Sequence, residues 1–198
     1  MRVAVDARAM RGLVRWAQYF FLAAGIGSLG YCLSVLGNGW LYQQSQSRGF
    51  DFAIRNNSAT AVHAEPETGA LLGRLQIPRL GMAVMVVEGV DEDDLARAAG
   101  HVPGTTLPDK HGNVGIAGHR DTFFRPLHNI RRNDKIQLTT LHGDYKYRVI
   151  STKIVDPGDV QVLAPTRHDM LTLVTCYPFN FIGAAPKRFI VTAARSTG

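Results

Sequence analysis

The sequence predicts a small, mainly β domain, a sandwich or barrel, held behind a single N-terminal membrane-spanning helix. Three observations carry this. Short apolar runs alternate with turn residues across 71–198. An uncharged stretch of 21 residues runs from Trp16 to Leu36. The whole chain has 198 residues, 45% hydrophobic and 19% charged, the composition of one ordinary folded domain and not of a disordered chain.

Residues 1–15 form a basic tail. Arg2, Arg8, Arg11 and Arg15 against Asp6 supply +3 of the net +6, which leaves about +3 for everything else. That remainder is too small and too scattered to argue for nucleic acid. The stretch 16–36, WAQYFFLAAGIGSLGYCLSVL, reaches about 32 Å as a helix, enough for a ~30 Å hydrocarbon core. Trp16 and Tyr19 mark one interface, Trp40 and Tyr42 the other. No charge follows Arg15 until Arg48, so the arginine bias keeps the N-terminus inside and exports the rest. A cleaved signal peptide has a shorter apolar core and a small-residue cleavage site. Ser34-Val35-Leu36-Gly37-Asn38-Gly39 offers none, which favours an uncleaved anchor. Residues 37–70 are polar and irregular and read as an extracytoplasmic spacer, with 41–57 compatible with a continuing helix.

The β domain spans 71–198. Its expected strands are Leu72–Ile77, Met82–Glu88, Asn113–Gly118, Lys135–Thr140, Asp144–Val155, Leu171–Cys176 and Arg188–Ala194. Pro78 with Gly81, His142-Gly143-Asp144, Asp156-Pro157-Gly158-Asp159, and Asn180 with Gly183 and Pro186 mark the turns. A helix is expected from Asp91 to about Ala99, opened by carboxylates suited to a helix N-terminus, and a helical turn near Phe123–Asn129. The acidic run Asp91–Asp94 lacks EF-hand spacing and reads as a solvated helix start. His63, His101, His111, His128, His142 and His168 show no HxxxH or HExxH spacing and read as surface or loop residues. No metal and no cofactor is implied.

Two cysteines exclude a disulfide scaffold. Cys32 lies in the apolar span and cannot pair with Cys176, so Cys176 is an unpaired thiol in an exported domain. It is either a small buried hydrophobe or a reactive group. Its surroundings favour reactivity. Cys176 closes one strand and Arg188 opens the next, so an antiparallel pair brings them within about 4.8 Å of strand spacing. His119 follows the strand Asn113–Gly118, at a strand end where reacting groups are commonly mounted. A thiol, an imidazole and a guanidinium supply the nucleophile, acid/base and oxyanion support for acyl transfer.

Thr172-Leu173-Val174-Thr175-Cys176 resembles the TLxTC signature of the sortases. Gly118-His119-Arg120 with Thr122-Phe123-Phe124 is similar to the sortase histidine segment, and Pro186–Val191 to the arginine segment. The chain order of His, Cys and Arg agrees, and the closest flavour is that of class D. The resemblance covers about 71–198 and implies a closed β-barrel cysteine transpeptidase. His119 is then general acid/base, Cys176 nucleophile and Arg188 oxyanion and substrate support. The implied substrate is an exported protein with an LPxTG-like sorting signal, cleaved between Thr and Gly or Ala. The implied acceptor is an amine on the cell wall or on a surface protein, and the implied location the bacterial cytoplasmic membrane. Thr172, Val174 and Tyr177 are candidate substrate-binding residues. Asp121 is a candidate for orienting His119, or else caps the following turn, and Thr175 a candidate for packing behind the nucleophile. Two other readings stay open: a cysteine protease with water as acceptor, and a non-catalytic exported binding module. Papain-like proteases place Cys before His in the chain, the reverse of the order here.

Overall fold

The computed structural model describes residues 7–55 and 66–196. The first six residues of the basic tail and 56–65 of the expected spacer lie outside the described residues. The chain divides into two compact units, 1–40 and 41–198. Helix α1 (Ala7–Arg55) is long and apolar enough to cross a membrane. Within the first unit its apolar side chains, among them Leu13, Trp16, Phe20, Phe21 and Leu29, are exposed. A helix with such a surface is stable in lipid, where its backbone groups are satisfied internally.

The second unit is a closed eight-stranded barrel. Its strands are β1 (Leu71–Ile77), β2 (Met82–Glu88), β3 (Ala99–His101), β4 (Asn113–Ala117), β5 (Lys135–Thr140), β6 (Gly143–Val155), β7 (Met170–Tyr177) and β8 (Lys187–Arg195). They pair in the order β1-β2-β3-β4-β7-β8-β6-β5, and β5 closes back on β1. The β2–β3 and β4–β7 pairs are parallel and the rest antiparallel. Alternation sends Leu75 and Ile77, Val84 and Val86, Val114 and Ile116, Ile136 and Leu138, and Leu171 and Leu173 inward. Full burial of each such side chain is worth roughly 1.5–3 kcal/mol. Closure leaves no unpaired sheet edge.

The sequence-predicted strands all form, with ends shifted by one residue where they differ. β3 is the exception: three residues with no alternation, defined by the partners it pairs with. Its Gly100 is required, since a Cβ there would lie 2.0 Å from the Gly89 carbonyl oxygen. β3 also corrects the reading of His101, which is buried and not a surface or loop residue. Its Nδ1 meets Glu88 Oε2 at 2.7 Å, and its Nε2 lies 3.0 Å from Thr105 Oγ1. The expected 91–99 helix is shorter, α2 (Glu92–Arg97), because Ala99 enters β3. The acidic run is not wholly solvated: Asp94 is buried and accepts from Arg97 Nη2 at 2.6 Å.

Residues 41–55, read from the sequence as spacer, are helical and belong to the barrel unit. Gln43 accepts from the Met85 backbone N–H at 2.8 Å and donates to the Arg97 carbonyl at 2.6 Å. Asp51 pairs with Arg74 at 2.7 Å, and Phe50 is buried beneath that guanidinium. These contacts are mostly polar, made by single residues, and so leave no apolar stripe in the sequence.

One ion pair fastens the β1–β2 connection to the start of β5. Arg79 Nη2 donates to Asp134 Oδ2 and to the Asn129 carbonyl, both at 2.6 Å, and the Arg131 N–H reaches Asp134 Oδ2 at 2.7 Å. The Arg79 hydrogen bond outweighs burial and holds the Asp134 carboxyl below its ordinary value. This stabilisation is therefore complete above the unfolded value, about 4, and is lost as pH falls through the lower folded one. Arg79 is half-exposed, so Asp134→Asn is expected to cost only about 1–2 kcal/mol at neutral pH. Urea denaturation should show the difference shrinking as the pH falls below the ordinary carboxylate range. An unchanged midpoint at neutral pH would exclude this role for the pair.

Candidate active site

Three chain segments converge at one end of β7. The antiparallel β7–β8 ladder pairs Cys176 directly with Arg188. The parallel β4–β7 ladder pairs Ala117 with Val174. β4 and its ladder end there, and His119 follows two residues later in the chain. The continuation is held by two hydrogen bonds. Gly118 N–H donates to the Val174 carbonyl at 3.1 Å, and Thr175 Oγ1 donates to the Gly118 carbonyl at 2.7 Å. Cys176 thus has the histidine segment on one side and the arginine strand on the other.

Leu171 and Leu173 face the core, so Thr172, Val174 and Cys176 lie on the outer face of the barrel. Burial falls along that row. Thr172 is 1% exposed, whereas Val174 and Cys176 are half-buried. His119 is exposed. Arg188 Nη1 donates to the carbonyls of Lys187 and Ala185, at 3.1 and 3.3 Å. Among the described residues, His119 and Cys176 make no side-chain hydrogen bond. No group of three His, Cys, Asp or Glu side chains there is placed to hold a metal ion.

A domain model described as the sortase domain matches residues 75–196. The chain belongs to the sortase family. Sortase D of Bacillus subtilis (strain 168) is 39% identical over 135 residues, which is 67% of this chain and 68% of that one. Sortase A of Listeria monocytogenes is 32% identical over 135 residues, 64% of this chain and 60% of that one. Among solved structures, a Clostridium perfringens sortase D5 transpeptidase superposes with a TM-score of 0.67 at 25% identity, covering 81% of this chain and 99% of that one. Sortase A from Corynebacterium diphtheriae gives a TM-score of 0.60 at 28% identity, over 68% of this chain and 63% of that one. The family's enzymes are cysteine transpeptidases, and they act on proteins bearing sorting signals and on amine acceptors.

Within this sortase the other site candidates scatter. Thr172 donates to Asn113 Oδ1 at 2.8 Å, and Asn113 Nδ2 donates to the carbonyls of Val162 and Ala164, at 3.2 and 3.3 Å. Thr172 therefore anchors the β6–β7 connection from below and exposes almost nothing to a substrate. Val174 stays beside the sulfur on the same face. Tyr177 lies on the opposite face from Cys176. Its ring stacks on Phe189 at 6.3 Å and meets Phe179 edge-on at 6.1 Å. It lines a separate cavity of about 480 Å³ with His128 and Arg125. Asp121 faces Arg120 and Arg125 and makes no hydrogen bond to His119. Thr175 is buried and holds the Gly118 carbonyl, next to the histidine.

Two residues without a sequence-derived role bear on the site, Asn113 and Arg120. Each is polar and buried at one end of β4. Arg120 stands in the segment that resembles the sortase histidine segment, which gave it no role of its own. For Asn113 the local signal is a polar residue of high hydrogen-bonding capacity opening an apolar strand.

Proposed function

We propose that this sortase cleaves an LPxTG-like signal between Thr and Gly or Ala and transfers the new carboxyl end to an amine. The Cys176 thiolate attacks the threonine carbonyl carbon. The scissile C–N bond breaks, and His119 delivers its proton to the departing amine, leaving a thioester on Cys176. The acceptor amine then attacks the thioester, its proton passes to His119, and the thiolate leaves. Arg188 stabilises the oxyanion of each tetrahedral state. Val174 borders the bound peptide.

One observation supports this reading above the others. Cys176 pairs with Arg188 across the β7–β8 ladder, and the segment that leads into His119 is hydrogen-bonded to β7 at Val174 and Thr175 on the other side. The apolar part of α1 is proposed to anchor the enzyme with residues 1–15 in the cytoplasm and the barrel outside.

Full-length protein in detergent, mixed with an LPNTG peptide, should show an acyl adduct on Cys176 by intact mass. Added triglycine should convert hydrolysis product into amide product. An unchanged product distribution with triglycine and other amines would favour water as acceptor, that is, a protease. A reporter fused after Gly198 should score as exported, and a cytoplasmic score would overturn the topology.

A further inference from the structure

Among the described residues, Arg120 is the one Arg or Lys side chain that is buried, with 5% exposed. Its position in the chain, directly after the exposed His119, makes that burial informative. A guanidinium removed from water needs its N–H groups satisfied, and a charge left without partners costs several kcal/mol. Here the partners are backbone carbonyls of the β7–β8 loop. Nη1 donates to Pro178 O at 2.9 Å, and Nη2 donates to Phe181 O at 2.6 Å and Gly183 O at 3.0 Å. Nε points toward the exposed Asp121 carboxylate, at 3.3 Å from Oδ1. The guanidinium carbon lies 6.0 Å from the centroid of the Phe181 ring.

The acceptors are placed where they bear on the reaction. Pro178 is two residues after Cys176, and Gly183 five before Arg188. One side chain therefore joins the histidine segment to the loop that connects the strands carrying both other groups. On its other side the histidine segment is already held, since Thr175 Oγ1 bonds the Gly118 carbonyl. His119 is bracketed between a bond to β7 and a bond to the β7–β8 loop. Its own imidazole has no partner to orient it, so the backbone on both sides must do so.

We propose that Arg120 is a positioning residue. It clamps the β7–β8 loop to the turn after β4 and so sets the approach of His119 to the Cys176 sulfur and of Arg188 to the oxyanion. This rests on the reading of His119, Cys176 and Arg188 as the reacting groups. Arg suits the task because its planar fork serves three carbonyls from fixed directions, whereas a lysine ammonium is a single point on a flexible stem. A misplacement near 1 Å at a reacting centre costs about 10²-fold in rate.

The test compares full-length wild type, Arg120→Met, Arg120→Lys and Cys176→Ala in detergent. Arg120→Met keeps the apolar stem and removes the donors. Hydrogen exchange followed by mass spectrometry needs no substrate. In Arg120→Met, amides of 178–186 should exchange at least tenfold faster, with β1, β5 and β6 unchanged. With the LPNTG peptide, kcat for acylation should fall about 10²-fold with KM changed less, and Arg120→Lys should recover at least threefold of that loss. Alkylation of Cys176 by iodoacetamide at pH 10, which needs no histidine, should stay within twofold of wild type. Unchanged exchange in 178–186 overturns the clamp. Acylation within threefold of wild type overturns the positioning role. Alkylation lost along with acylation, or exchange raised throughout the barrel, reduces Arg120 to general structure and also overturns it. If wild type itself forms no adduct, the transpeptidase reading fails, and the clamp is still decided by the exchange data.

Discussion

Cys176→Ala is expected to abolish the acyl adduct and to lower peptide cleavage by at least about 10⁴-fold, as nucleophile removal does in other acyl-transfer enzymes. Cys176 is the sole cysteine outside the apolar helix, so no second thiol is available to replace it. The substitution is otherwise mild. The side chain is half-buried on the outer face, and neither the β7–β8 ladder nor the core depends on its sulfur. Loss of activity with an unchanged melting temperature therefore isolates the chemistry from the fold. An adduct persisting in Cys176→Ala would place the nucleophile elsewhere. Full cleavage without any adduct would replace covalent catalysis with direct attack by water.

His119→Ala should reduce turnover of the amide substrate by about 10²–10⁴-fold, the usual worth of a placed general acid–base group. The size of the loss should depend on the leaving group. An amine departs poorly unless protonated, while an alkoxide or thiolate needs less help. A peptide whose scissile amide is replaced by an ester or thioester should therefore lose much less in His119→Ala than the LPNTG amide does. Comparing kcat/KM for the two substrates checks this. Equal losses with both would remove proton delivery from the role of His119, and near-normal amide turnover would remove the residue from the site. The exposed position of the imidazole makes a folding defect a poor explanation for either result.

The proposed trio of His119, Cys176 and Arg188 was legible because each member sits at or just past a strand end that apolar alternation reveals. Leu171, Leu173 and the run Val114–Ile116 define β7 and β4, and Arg188 opens a run ending near Ala194. Thr172 and Tyr177 were harder. Alternation assigns the face of Thr172 correctly, yet whether an outer face is open or covered depends on a distant segment. Here Asn113 carries the carbonyls of Val162 and Ala164 over it. Tyr177 is next to Cys176 in the chain, but period two turns it to the other side, into a cluster with Phe179 and Phe189. Asp121 beside His119 resembles an orienting carboxylate, and two arginines claim it instead.

What the sequence alone determined was whatever has a period or a length: an apolar span long enough for a bilayer, seven of eight strands, the inward residues of each, and a signature joining His119, Cys176 and Arg188 to a family. What the tertiary structure decided was every relation lacking a period. β3 exists through the partners on either side of it. Residues 41–55 join the barrel through Gln43, Phe50 and Asp51 singly. Arg120 reaches carbonyls about sixty residues away in the chain. Hydrophobic burial is repetitive and non-directional, so it writes a pattern along the chain. A hydrogen bond to a backbone carbonyl is a single directional contact, and a carbonyl carries no residue identity by which the sequence could announce it.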